Sequence, residues 1–393
     1  MIHGLALWVA AGLLIGCAAS GGRNPVPLGL EENATVAGMS IETIRFWGDE
    51  LPPNAVAIRQ KRLSQLNRRW SGLGSDRRPV LHYLALSGGG SYGAFGAGIL
   101  VGWTASGTRP KFDVVTGVST GALTAPFAFL GPKYDHAVKH VFTQSHTRDV
   151  AILRPVKGLL GGSSLSSNAP LAKLIAHYVT PAFLAEVAVE HRKGRRLYVG
   201  TTNIDAQRPV IWDMGEIASS GRPGSLELFR NVLLASAAIP AAFPPSFFKV
   251  TADGISYEEM HVDGGATREV FLAPTQLTLA GLDRQLHVKP IRIFYIIRNG
   301  YVTPQYKAVK PRTLSIAGRA VDTLVKYQGI GDLYRLYAFC KKNGIAYNLA
   351  YIPEDLQDTS TEMFDPVFMT QLFDTGKNLA RRGYPWQKVP PDF

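Results

Sequence analysis

Asp113-Val114-Val115-Thr116-Gly117-Val118-Ser119-Thr120-Gly121-Ala122-Leu123-Thr124-Ala125 runs from an apolar strand through a glycine-flanked turn into an apolar helix. The strand reading covers Phe112 to Thr116, the turn Gly117 to Gly121, and the helix Ala122 to Leu130. The same order precedes it: a strand at Val80 to Leu86, a glycine turn at Ser87 to Gly93 and a helix at Ala94 to Thr104. Strand, turn and helix in succession predict a largely parallel sheet covered on both faces.

Outward from this core, further strands are expected at Arg196 to Thr202, Pro209 to Trp212, Glu258 to Val262, Ile291 to Ile297 and Tyr347 to Ile352. Helices are expected at Leu171 to Tyr178, Leu226 to Ala237, Ile316 to Lys326 and Pro366 to Ala380. Upstream, Ile41 to Trp47 and Ala55 to Trp70 read as helices separated by Pro52-Pro53. The second is basic and amphipathic, a pattern that suits a membrane surface but more often packs on a core.

The 393 residues are 46% hydrophobic and only 18% charged, which excludes broad disorder. The formal net charge of +12 favours anionic partners. Its basic residues are scattered and form no nucleic-acid-binding motif, so phospholipid headgroups are the better match and nucleic acid is not expected.

The uncharged run Gly4 to Gly16 is too short to cross a bilayer and has the size of a signal-peptide apolar region. It ends in Leu14-Ile15-Gly16-Cys17, which resembles the bacterial lipobox, with Cys17 as the lipidated residue. A lipidated Cys17 leaves Cys340 without a disulfide partner. The expected division is a signal peptide at 1–16, a lipidated tether and helical extension at 17–78, a catalytic domain at 79–300 and a helical and strand cover at 301–393.

Three short stretches carry chemistry. Gly117-Val118-Ser119-Thr120-Gly121 fits a nucleophile elbow, in which small flanking residues permit a sharp turn that presents the serine. Gly88-Gly89-Gly90-Ser91-Tyr92-Gly93 offers backbone N–H groups to a developing oxyanion. The same stretch fits a dinucleotide loop, but that reading needs an acid at the end of the next strand, and Asp113 lies at its start. His261-Val262-Asp263-Gly264-Gly265 places a carboxylate at a strand end; taken alone, it is an ordinary Asp-Gly turn.

In this order, and with Ala235 to Pro245 as a fourth stretch, these motifs resemble the patatin-like phospholipase family over about Leu84 to Gln276. The resemblance implies a three-layer α/β/α domain with a mostly parallel sheet, an N-terminal helical extension and a C-terminal cap. It implies Ser119 as nucleophile, Asp263 as general base and the amides of Gly88, Gly89 and Gly90 as the oxyanion hole. Gly93, Gly117, Gly121, Gly264 and Gly265 complete its motifs. Tyr92 departs from the family, which has Arg or Lys there.

The implied activity is hydrolysis of fatty acyl esters in phospholipids, lysophospholipids or simpler lipids, with no cofactor and no metal. The lipobox-like Cys17, followed by Ala18 rather than an aspartate, sets the expected location at the bacterial cell envelope, anchored by lipid at an outer membrane facing the periplasm. Phe243, Phe247 and Phe248 are candidates for the acyl pocket. The rival is a Ser-Asp-His triad using His261 or His287 with Asp205 or Asp213. A non-catalytic or dinucleotide-binding envelope lipoprotein is the remaining alternative.

Overall fold

The structure is a computed structural model that describes residues 23–39, 44–52, 54–72, 77–153, 162–272, 279–286 and 288–392. The expected signal peptide, Cys17 and His287 lie outside these residues.

Ten strands form one sheet: β1 (Thr35–Val36), β2 (Arg45–Trp47), β3 (Val80–Leu86), β4 (Val114–Val118), β5 (Arg196–Asn203), β6 (Arg208–Asp213), β7 (Ser246–Ala252), β8 (Ile255–Asp263), β9 (Ile291–Arg298) and β10 (Ala346–Tyr351). The main path is β1-β7-β8-β5-β4-β3-β9-β10, with β6 on β5 and β2 on β6. The stretch β5-β4-β3-β9-β10 is parallel throughout. β8, β7, β1, β6 and β2 are joined to it and to one another antiparallel.

Alternation along β3 sorts the two faces. Leu84 and Leu86 enter one core with α2 (Gly93–Ala105), α3 (Thr120–Leu130), α4 (Asp135–Gln144), α5 (Ala169–Tyr178), α6 (Pro181–Arg192), α7 (Ser225–Ser236) and α9 (Pro366–Arg381). Leu81, Tyr83 and Ala85 enter the other with α1 (Ala55–Trp70) and α8 (Thr313–Asn343). The architecture is therefore the three-layer α/β/α sandwich that the sequence implies.

Two readings change. The described part of Ile41 to Trp47 is a strand, β2, paired with β6 rather than helical. Phe46 and Trp47 suit a pleated surface, and β6 offers them a free edge. Residues 301–393 do more than cover the domain, because β10 extends the parallel sheet and α9 is packed into the core. A side chain at Gly98 or Gly102 of α2 would strike the carbonyls of Phe373 or Lys377 in α9, so glycine sets that close approach. Helix α1 packs on the core through Leu63, Leu66 and Trp70.

The branch at β5 positions the site. Residues 196–200 pair with β4 in parallel, ending at Val118 opposite Gly200. The same edge then continues with β8 antiparallel, starting with Thr201 opposite Asp263. The carboxyl ends of β4 and β8 thus meet head to head. A side chain at Gly264 would collide with the Gly200 carbonyl and press on Val118, which shows how closely the two ends approach.

Candidate active site

Ser119 sits between β4 and α3 with φ 53° and ψ −125°, a conformation L-residues seldom adopt. Packing enforces it. A side chain at Gly117 would strike the Gly121 carbonyl, and one at Gly121 would strike those of Leu86 and Ser87. The Ser119 N–H donates to Ser236 Oγ at 3.0 Å, and Ser236 donates to the Gly200 carbonyl at 2.6 Å. Ser236 of α7 therefore pins the elbow to β5.

Asp263 lies beside Ser119 and is 5% exposed. Its N–H donates to the Ala238 carbonyl at 2.9 Å, and its Oδ1 accepts from Gly265 N at 2.8 Å. Burial raises its pKa to about 7; the nearby Glu269 pushes the same way, while Ser119 and the Gly265 amide oppose it. The serine acts on the carboxyl as a hydrogen-bonding neighbour, while Oδ2 has no well-aligned partner among the described residues. A buried carboxyl poised near neutrality can accept a proton at physiological pH.

The glycine loop faces this pair with one correction. The Gly88 N–H donates to the Glu269 carbonyl at 3.1 Å and is not free for an oxyanion. Gly89 and Gly90 hold φ values of +146° and +56°, and their amides have no acceptor among the described residues. Thr120 supplies a further N–H at the first position of α3, where no intrahelical acceptor exists. Gly90, Ser119 and Thr120 together border one pocket.

Several supporting residues escaped the sequence reading because they come from distant elements. Asn299, just past β9, donates its amide to the Ser87 carbonyl at 2.9 Å and accepts from Gly96 N at 3.1 Å. Its carbonyl occupies the place of a side chain at Gly89. Glu269 is buried against Gly88 and Gly265, and Arg298 of β9 bonds it at 2.6 Å. A cation therefore does approach the loop, although Glu269 neutralises it. Tyr92 bonds Asp358 at 2.6 Å and sets its ring edge-on to Tyr301 and Phe368. Where the family carries a cation, this tyrosine fastens the loop to the C-terminal segment.

The pocket beside Ser119 is lined by apolar side chains from five helices and loops, including Leu123, Phe142, Leu171, Phe243, Phe364 and Met369. Of the three expected phenylalanines only Phe243 lines it. Phe248 packs on Trp212 and His261, and Phe247 is 49% exposed. Adjacent strand residues face opposite sides, so Phe247 and Phe248 cannot share one pocket.

His261 does not join the pair. Its Nδ1 lies 2.9 Å from Thr201 Oγ1 and its Nε2 3.0 Å from Glu259 Oε2, and burial lowers its pKa. Both ring nitrogens are engaged away from Ser119. Asp205 pairs with Arg23, and Asp213 accepts from the Gly215 and Glu216 amides. Asp113, the acid considered for a dinucleotide loop, pairs with Arg69 and His82 N at the opposite end of the strands.

Residues 84–275 match the family described as patatin-like phospholipase, and the chain carries a patatin-like phospholipase domain there. No curated protein matches the chain. Among solved structures it is similar to VipD from Legionella pneumophila, with 12% identity, TM-score 0.36, and coverage of 77% of this chain and 67% of that one. ExoU of Pseudomonas aeruginosa, in complex with SpcU, matches at 12% identity and TM-score 0.27, over 78% of this chain and 52% of that one. Human GIVD cytosolic phospholipase A2 matches at 9% identity and TM-score 0.36, over 80% and 55%. The chain thus spans only about half the length of the last two.

Proposed function

We propose that this protein hydrolyses fatty acyl esters of phospholipids, lysophospholipids or simpler lipids through Ser119 and Asp263. The family match supports lipid hydrolysis in coarse outline. The observation that carries the finer reading is the buried Asp263 carboxyl, with Oδ2 unbonded among the described residues, beside the strained Ser119 at the edge of an apolar pocket.

Asp263 takes the Ser119 proton as Oγ attacks the ester carbonyl. The amides of Gly89, Gly90 and Thr120 face the oxyanion, each such donor contributing on the order of 3 kcal/mol to the barrier. The proton passes to the leaving alcohol or lysolipid. Water, deprotonated by Asp263, then releases the fatty acid and restores Ser119. The apolar lining accepts the acyl chain.

The test is p-nitrophenyl ester hydrolysis alongside labelling by a serine-directed fluorophosphonate. The reading expects wild type to turn over and label, Ser119→Ala to do neither, and Asp263→Asn to lose turnover. Turnover that survives in Ser119→Ala sinks it. We further propose that Cys17 is lipidated and anchors the enzyme at the envelope. Incorporation of labelled palmitate that persists in Cys17→Ala would reject this.

A further inference from the structure

Helix α8 is built the wrong way round for a solvent-facing helix over its first half. Ser315, Arg319, Asp322 and Lys326 recur at spacings of four, three and four, which places them on one face. Two of them, the half-buried Arg319 and Lys326, reach back to the protein: Arg319 donates to the Gln305 carbonyl and Lys326 to the Thr303 carbonyl. The apolar residues point outward. Leu314 is 67% exposed and Leu324 70%, with Ile316, Val321 and Tyr327 also exposed. A surface helix normally buries its apolar stripe. The second half of α8 does so through Leu333, Leu336 and Phe339.

Contiguous apolar surface of this kind marks an interaction site. We propose that the first half of α8 docks on an anionic phospholipid bilayer, lying in its interface with Leu314, Val321 and Leu324 among the acyl chains. Two observations select this occupant. Lys307, Lys310 and Arg312 stand exposed immediately before the helix, complementary to anionic headgroups. In a symmetric pairing of two copies the same three cations would face their own kind. The patch also borders the mouth of the site. Asp322 lies within electrostatic reach of Tyr92 in the glycine loop. Tyr301 packs on Tyr92, and Tyr306, five residues on, is 95% exposed. Met363 and Val367 are exposed, close in the chain to the pocket-lining Phe364 and Met369. Among the described residues no single helix is long and apolar enough to cross a membrane.

The use of this surface for delivering substrate rests on the ester-hydrolase reading, but the docking is testable without catalysis. Full-length protein carrying Ser119→Ala and Cys17→Ser is labelled with a polarity-sensitive fluorophore at Leu324→Cys or, as control, at Ser256→Cys on the far end of β8. Cys340 is buried, with its thiol pKa pushed up to about 12, and resists labelling. Vesicles are phosphatidylcholine with or without phosphatidylglycerol, doped with brominated lipid as quencher.

With phosphatidylglycerol present, the expected result is a blue shift and quenching at 324 but not at 256. Charge reversal by Lys307→Glu, Lys310→Glu and Arg312→Glu should weaken partitioning by more than about tenfold. Unchanged thermal midpoints verify that all variants are folded. Protein that binds vesicles while the probe at 324 stays in water overturns the proposal, since another surface then docks. A concentration-dependent blue shift at 324 without vesicles also overturns it, because a second copy then covers the patch.

Discussion

Glu259 and Asp263 stand four residues apart on β8, both almost wholly buried, and their surroundings send them in opposite directions. Burial pushes the Glu259 carboxyl upward, but Arg45, then His261, outweigh it and hold its pKa at about 2. Arg45 grips both oxygens, and His261 bonds one of them. Among the described residues Asp263 has no ion-pair partner and its Oδ2 no well-aligned bond, and burial pushes it up to about 7. On the proposed reading, the difference separates a carboxylate that ties the fold together from one that serves as the base. A buried charge without an ion-pair partner is costly, and a carboxyl left in that state is a candidate for chemistry.

The largest test of this contrast is kinetic. Asp263→Asn and Ser119→Ala should each lower kcat/KM by about 10³-fold or more, and the double variant should be no worse than either single one. Additive losses would mean that the two side chains do not act as a unit. Unfolding midpoints in denaturant supply the next test. Glu259→Gln leaves Arg45 poorly compensated and should cost roughly 3–5 kcal/mol. Asp263→Asn should be neutral or stabilising, by a few kcal/mol at most at pH 8, at roughly 1.4 kcal/mol per pKa unit.

Acidity gives these two residues opposite signs. The folded-state pKa of Asp263 is raised, so the folded protein holds a proton that the unfolded chain has released. Its contribution to stability is therefore present below about pH 4 and lost as pH rises toward 7. Glu259 is depressed, so its contribution is present above about pH 4.5 and lost as pH falls toward 2. Differential scans of wild type against each variant across this range resolve both slopes. Catalysis, needing ionised Asp263, should fall tenfold per unit below about pH 7. A flat rate profile from pH 5 to 8 would remove Asp263 as the base. The smallest effect concerns the loop. Tyr92→Phe breaks the bond to Asp358 and should cost about 1 kcal/mol of unfolding free energy, read from denaturant titration, with its ring packing retained.

What the sequence made legible is local. The elbow at Ser119 and the strand end at Asp263 depend on small residues adjacent in the chain, and those residues appear as motifs. The parallel core was equally plain, because each of its first two strands runs directly into a glycine turn and helix. What escaped was assembled from afar. The carbonyl that occupies Gly88 N belongs to Glu269, and the side chain that pins the elbow belongs to Ser236. The strand at Arg45–Trp47 is fixed by an edge on β6 that no local pattern reveals. Phe247 and Phe248 alternate along β7, whose pairing with β8 and β1 no local sequence pattern reveals, and so neither reaches the pocket.

The head-to-head meeting of β4 and β8 along β5 carries a consequence for how the protein acquires its activity. Ser119 lies in a region rich in short-range strand-to-helix contacts, whereas Asp263 is placed beside it only by the later β7–β8 hairpin paired to the last residues of β5. Contacts between residues far apart in the chain form slowly, so the pair should be among the last features to assemble. A nascent or half-folded chain would then display Ser119 without Asp263 beside it. Recovery of esterase activity during refolding would report the arrival of that hairpin, lagging behind the helical signal of the core.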